Sequence, residues 1–266
     1  MTNSKAIDLT LEMGDLMVVF YFSGTGNTQF AAKYFAGCMK CPAYSIEQKV
    51  DFDGILNQNE TVAFFYPVYC SDVPMIMRRF IDTYRRQLSG KQMIIYCTQM
   101  VFSGDGARRF TDLLEGINHK VIYARHLMMP NNISNLPVLS VNNHPKIDRR
   151  IKKVKKRIRR DVKAICNQQS RRQGFNVVSK YLGFLTQRAY LGPLEKKAQK
   201  DVRIRETCIQ CGLCVRRCPM RNLKMSENGV QQKGVCTLCY RCVNLCPEKA
   251  ITVLIHHEVK EQYKGI

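Results

Sequence analysis

The sequence predicts an α/β fold: a doubly wound, five-stranded parallel sheet followed by a small, cysteine-rich α+β unit. Three observations carry that expectation. Over the first 135 residues, short runs rich in Val, Ile, Phe and Tyr alternate with longer segments of helical periodicity, which is the grammar of βαβ units. A strongly basic stretch breaks the alternation from Lys146. From about residue 206 a cysteine pattern takes over and repeats. At 266 residues the chain exceeds a comfortable single core, so more than one domain is expected.

Taken in order, strands are expected near 16–22 (LMVVFYF), 43–46, 61–66, 92–97 and 120–127, each an apolar run bounded by polar or turn residues. Helices are expected near 28–37, 73–87 and 106–116, with a final one after Pro145. In a parallel sheet of this kind ligands sit beyond the carboxyl ends of the strands, so the loops after strands one, three and four are the places to look. The longest apolar stretches fall far short of the ~20 residues that span a bilayer. Residues 1–15 carry no charged n-region, apolar core or cleavage site, so export is not expected. A reducing cytoplasm then suits thirteen cysteines, whose odd number and uneven spacing fit poorly with a disulfide scaffold.

Charge is concentrated rather than spread. The chain carries 42 Lys and Arg against 21 Asp and Glu, and residues 146–205 hold 20 of the cations with four acids. Within that segment Ile147, Ile151, Val154, Ile158, Val162 and Ile165 recur at helical spacing along one face. No aromatic accompanies the run at 146–172, which removes the stacking platform of a nucleic-acid site and the interfacial anchor of a membrane helix. Its outer face is expected to steer an acidic redox partner, such as a small ferredoxin or flavodoxin. A second apolar segment, 174–194, is expected to cover part of the following domain. The division expected is 1–145, then the basic helical segment 146–205, then 206–266.

Residues 208–219 read CIQCGLCVRRCP and residues 236–247 read CTLCYRCVNLCP, the same C-x2-C-x2-C-x3-C-P run repeated at an offset of 28 residues. Paired C-x2-C runs also build zinc sites, but a third Cys two residues on and a fourth followed by Pro, twice over, is poor zinc grammar. The segment resembles the two-cluster bacterial ferredoxins over roughly fifty residues. That resemblance implies two [4Fe-4S] clusters in which the fourth Cys of each run serves the other cluster. One would use Cys208, Cys211, Cys214 and Cys246, and the other Cys236, Cys239, Cys242 and Cys218.

After the first strand comes Ser23-Gly24-Thr25-Gly26-Asn27-Thr28, leading into an apolar helix. Hydroxyls and glycine N–H groups converging on a helix N-terminus suit a phosphate. Gln29 stands where a dinucleotide fingerprint needs its third small residue, and the Gly-Lys-Ser/Thr end of a triphosphate loop is missing. The run looks like the phosphate loop of flavodoxins, a likeness covering residues 16 to about 140. It implies flavin mononucleotide (FMN) held by Ser23, Gly24, Thr25, Gly26, Asn27 and Thr28. The loop after strand three, with Pro67, Val68, Tyr69 and Cys70, would line the isoalloxazine, Tyr69 stacking on it. The loop after strand four, with Thr98, Gln99, Phe102, Ser103, Gly104, Asp105 and Gly106, would close its pyrimidine edge. The usual flavodoxin Trp is missing, since the chain has none.

Joined in this order, the halves resemble a family of flavodoxin-domain ferredoxins of anaerobes, through SGTGNT, the SGDGA run at 103–107 and Met129-Pro130-Asn131. That resemblance implies an oxidoreductase that passes single electrons from a low-potential donor through two clusters to FMN, and on to a small-molecule acceptor. The alternative is a carrier between proteins with no small-molecule substrate. Cys38-x2-Cys41 has no partner pair nearby, and with Cys97 and Cys166 reads as structural.

Overall fold

The computed structural model of the chain describes residues 16–69, 72–136, 141 and 143–266. Its central element is a six-stranded parallel sheet. The strands are β1 (Met17–Tyr21), β2 (Ala43–Ser45), β3 (Thr61–Pro67), β4 (Gln92–Gln99), β5 (Lys120–Met128) and β6 (Arg171–Arg172), in the order β2-β1-β3-β4-β5-β6. The five expected strands are present. The sixth, only two residues long, pairs with Tyr123 and Ala124 at the edge and is too short to show a period.

Strands covered on both faces read as continuous apolar runs, and every residue of β1 is buried. Alternate side chains serve opposite cores. Val18, Phe20, Val62, Phe64, Met93 and Ile95 pack under α2 (Phe52–Gln58), α3 (Met75–Thr83) and α4 (Gly106–Asp112). Met17, Val19, Ala63, Phe65, Ile94 and Tyr96 pack under α1 (Asn27–Met39) and α5 (His144–Cys166). Helix α5 is the basic helix read from the sequence. Asn143 caps it by accepting the Lys146 N–H at 3.1 Å, while Val154, Ile158, Val162 and Ile165 are buried against α1 and the sheet. Among the described residues no helix is long and apolar enough to cross a membrane.

The apolar segment 174–194 departs from its expectation. Helix α6 (Val177–Gly183) and the π-turn Phe184–Arg188 lie against the loop after β4, where Gly183 packs onto Gly104. Val177, Val178, Tyr181, Leu182, Phe184 and Leu185 are exposed, so this segment does not cover the cysteine-rich unit. The contact with that unit comes from α7 (Ala189–Gln199), whose Ala198 enters its core.

The cysteine-rich unit contains β7 (Val202–Ile204), α8 (Leu213–Arg217), the hairpin β8 (Leu223–Ser226) and β9 (Gly229–Gln232), α9 (Arg241–Leu245) and β10 (Ile251–Val253). Strands β7 and β10 pair antiparallel. The sequence repeat is a backbone repeat: left-handed residues fall at Gln210 and Leu238, at Gly212 and Tyr240, and at Arg221 and Lys249. The fourth thiol of each run also accepts an equivalent backbone N–H, Cys218 from Asn222 at 3.2 Å and Cys246 from Ala250 at 3.3 Å.

Candidate flavin crevice and cysteine loops

The sheet order reverses at β1, which lies between β2 and β3. That is where an open α/β sheet makes its crevice. The loops after β1, β3 and β4 meet there around a cavity of about 170 Å3. Ser23, Gly24, Thr25, Asn27, Thr28, Pro67, Val68, Tyr69, Thr98 and Gln99, all named from the sequence, line it together. Gly26 adopts φ +101° at the N-cap of α1, a conformation that glycine takes without strain. No side chain caps that helix, which leaves the N–H groups of its first turn for an anion.

The hydroxyls and amides of the loop are already oriented. Ser23 Oγ accepts the Gly26 N–H at 3.1 Å, and Asn132 Nδ2 donates to Thr25 Oγ1 at 2.8 Å. The hydroxyls of Thr28 and Thr98 are 2.7 Å apart, while Asn27 donates to the Pro130 carbonyl at 3.0 Å. The Tyr69 hydroxyl is buried with no hydrogen-bond partner among the described residues, and burial pushes its pKa well above the ordinary phenol value. An uncapped helix N-terminus, a set of neutral donors and an orphaned phenol fit an anionic, hydrogen-bonding ligand with a flat ring, so the residues present suit FMN.

Other expected residues lie elsewhere. Phe102, Ser103, Gly104, Asp105 and Gly106 do not line the crevice. Asp105 is wholly buried and paired with Arg108, at 2.8 Å, and with Arg188, so it anchors α4 and the π-turn. Ser103 Oγ donates to Gln99 and lies 3.4 Å from His126 Nδ1. Cys70 lies outside the described residues.

What sequence reasoning missed is the far wall. Leu238, Tyr240 and Leu254 of the cysteine-rich unit line the same cavity, with Met100, Met129, Pro130, Asn132 and Ile133. A Cβ on Gly24 would overlap the Cys239 carbonyl, and it would stand 2.9 Å from the Tyr69 hydroxyl. Arg241, between Cys239 and Cys242, clamps the two units. It donates to the carbonyls of Ser23 at 2.8 Å and Gly24 at 3.1 Å, to that of Arg217 at 3.1 Å, and to both Glu47 carboxylate oxygens at 2.6 and 2.7 Å. Burial works against its charge, and Glu47 more than offsets that. Further along, Tyr263 donates to Asn27 Oδ1 at 2.5 Å and Asn244 to the Asn132 carbonyl at 3.0 Å.

The eight repeat cysteines gather in two neighbourhoods. Burial raises the Cys214 pKa, and Cys208, Cys246 and Cys211 add to it. Burial likewise holds Cys242 well above the ordinary thiol value, and Cys239, Cys236, Cys218 and Cys214 push it further up. Cys236 is pushed up to about 11 and Cys239 to about 12, in both cases mainly by burial. Buried thiols held neutral this way ionise when a cationic iron core binds them, which couples loading to proton release. Among the described residues no three His, Cys, Asp or Glu side chains converge on one ion. A cubane instead spreads its four thiolates over four irons, as a loop wrapped around a cluster allows. Cys41 is pushed up to about 12 and Cys97 to about 12 by burial, and both stay with the sheet cores.

A second cleft, about 660 Å3, shares Met100 and Pro130 with the crevice and is lined by Lys146, Arg149, Arg150 and Lys153 of α5. Arg150 Nη1 donates to the Met129 carbonyl at 2.9 Å and to that of Met100 at 3.3 Å, so α5 braces the crevice lip.

A flavodoxin-domain family model matches residues 18–165, and a 4Fe-4S dicluster domain model matches residues 207–250. Similar solved structures include a WrbA-like flavodoxin from Agrobacterium tumefaciens, 17% identical over 58% of this chain and 98% of that one, TM-score 0.41. Two-electron reduced Megasphaera elsdenii flavodoxin is 18% identical over 53% and 98%, TM-score 0.37. Fusobacterium nucleatum flavodoxin bound to FMN is 14% identical over 58% and 98%, TM-score 0.38. No curated protein matches the chain. With its first model spanning more than half of the residues, the chain belongs to the flavodoxin-domain family, here fused to a 4Fe-4S dicluster domain, and is an iron–sulfur flavoprotein of electron transfer.

Proposed function

We propose that the protein takes single electrons from a low-potential donor such as a reduced ferredoxin, passes them through two [4Fe-4S] clusters to FMN, and reduces a small-molecule acceptor. Cubane clusters carry electrons singly and a bound flavin collects them into pairs. The observation that carries this reading is the shared wall: Leu238 and Tyr240, either side of Cys239, line the crevice built by the flavin loops. In the ligand assignment it uses, Cys208, Cys211, Cys214 and Cys246 hold one cluster and Cys236, Cys239, Cys242 and Cys218 the other. Residues 1–145, 146–205 and 206–266 are its flavin, basic and cluster parts.

The residues do the positioning. Ser23, Thr25, Asn27 and Thr28 present hydrogen-bonding groups at the start of α1, and Thr98 and Asn132 hold two of those hydroxyls in place. Arg241 fixes the spacing between phosphate loop and cysteine loop. The four-cation cleft beside Met100 and Pro130 supports an acceptor that carries a carboxylate or phosphate.

A second reading, a carrier with no small-molecule substrate, is favoured by the size of the crevice. About 170 Å3 is less than the ~300–1,000 Å3 of common ligand pockets, because the cysteine-rich unit leans over it. Anaerobic purification with iron, sulfide and flavin quantified tests the cofactors, with about eight iron per chain expected for two cubanes. Reduced ferredoxin should then bleach the flavin band, and NADH alone should not. Turnover of anionic nitro, quinone or activated-alkene acceptors supports the enzyme; bleaching without turnover of any acceptor supports the carrier.

A further inference from the structure

The two cysteine runs share one backbone but not one environment. In the second, Leu238 and Tyr240 are buried at 5% and 7% exposure and face the crevice, and the Cys239 carbonyl rests on Gly24. In the first, Cys211 is exposed, as is the adjoining Gln210, and Ile209 is 62% exposed. Positions that correspond at the 28-residue offset have diverged: Ile209 against Thr237, Gln210 against Leu238, Gly212 against Tyr240. The apolar rim of the first run continues onto Met225, 43% exposed, whose methyl lies against the Gly212 position. Arg216 donates to the Cys211 carbonyl at 3.1 Å from beside it.

We infer that an acidic one-electron carrier protein docks on the first cysteine run, over Cys211, Ile209 and Met225, and that the second run faces the flavin. The inference rests on the proposed electron-transfer reading and adds its direction and its port. Residues 203–227 hold six basic and two acidic residues, and Arg203, Arg205, Arg216, Arg217, Arg221 and Lys224 are all exposed. An apolar centre of small area with a basic surround is the anatomy of a transient redox interface, in which charge steers the encounter and a short apolar contact lets the partner leave. A second copy of this chain is the wrong occupant, since each copy carries a net charge of +21. The transfer itself moves one electron, oxidising the carrier and reducing the cluster unit by one each, with no bond made and no proton moved. The larger positive charge on α5 lies beside the crevice lip rather than on this run, which separates the place for a donor from the place for an anionic acceptor.

The test compares two charge reversals of equal size in the full, cofactor-loaded chain, Arg217→Glu with Lys224→Glu and Lys152→Glu with Lys156→Glu on the exposed side of α5. The probe is an acidic bacterial ferredoxin. Its oxidised form is titrated calorimetrically at low salt, and its reduced form is mixed in stopped flow. The first variant should weaken binding and slow cluster reduction at least tenfold, and the second should change both by less than threefold. Equal effects, or a larger effect from α5, would overturn the port. Dithionite separates this outcome from failure of the underlying reading: it should bleach the flavin through the clusters equally in both variants. Clusters that reduce while the flavin stays oxidised would sink the reading itself.

Discussion

Tyr240 occupies a left-handed conformation, φ 57°, that the repeat assigns to glycine at the equivalent Gly212. For a bulky residue that backbone costs about 1–2 kcal/mol. The side chain is what the crevice gains, with its hydroxyl donating to the Val253 carbonyl at 3.1 Å. Tyr240→Gly therefore relieves the backbone and removes the wall. The expected result is retained iron content with faster flavin release, read as the return of free-flavin fluorescence after dilution. Gly24 is the reciprocal case. Gly24→Ala forces Cys239 away, so a loss of about 1–3 kcal/mol in urea unfolding is expected. His126 gives the pH dependence. Burial lowers its pKa to about 4, and Nε2 accepts the Ala107 N–H at 3.2 Å, so the ring is held neutral. The unfolded chain binds this proton first, near 6.5, so stability is complete above that value and declines as pH falls toward 4. The expected decline is roughly 3 kcal/mol by pH 4, and His126→Gln should flatten that part of the pH profile.

At the level of elements, α5 is held by more than its aliphatic stripe. Asp161, 1% exposed, accepts from Arg125 at 2.5 and 2.9 Å, from Tyr123 at 2.8 Å and from Tyr96 at 3.2 Å. Asp161→Ala leaves Arg125 of β5 charged, buried and without its carboxylate, so a loss of about 3–5 kcal/mol is expected by chemical denaturation. The stripe was legible because six β-branched residues recur over five turns, and β1, β3 and β4 because each is a run of mostly buried apolar residues. Helix α2 escaped notice: only Phe52 and Leu56 are buried in its seven residues, with Gly54 between them. The hairpin β8–β9 is polar and four residues a side, so it shows no strand alternation. The glycine-rich loop at 23–28 and the repeated cysteines stood out through local spacing. Leu238 and Tyr240 did not, because nothing within the second run says that it lies against a loop more than two hundred residues earlier.

Across the whole molecule, one guanidinium bears much of the coupling. Arg241 joins the phosphate loop, the turn after β2 and the end of α8 to the second cysteine run. Arg241→Ala should leave iron and flavin contents near wild type while slowing flavin bleaching by dithionite-reduced clusters at least tenfold, since the units separate without unfolding. Removing iron with a chelator should unfold the cysteine-rich unit, where eight thiols replace much of the apolar core, and spare the sheet. The shared wall also bears on how the protein is made. A flavin must reach its place past Leu238, Tyr240 and Leu254, which belong to the unit expected to fold around iron. Flavin offered before the iron is therefore expected to load faster than flavin offered after it, and the rate at which flavin fluorescence is quenched in the two orders of addition checks this.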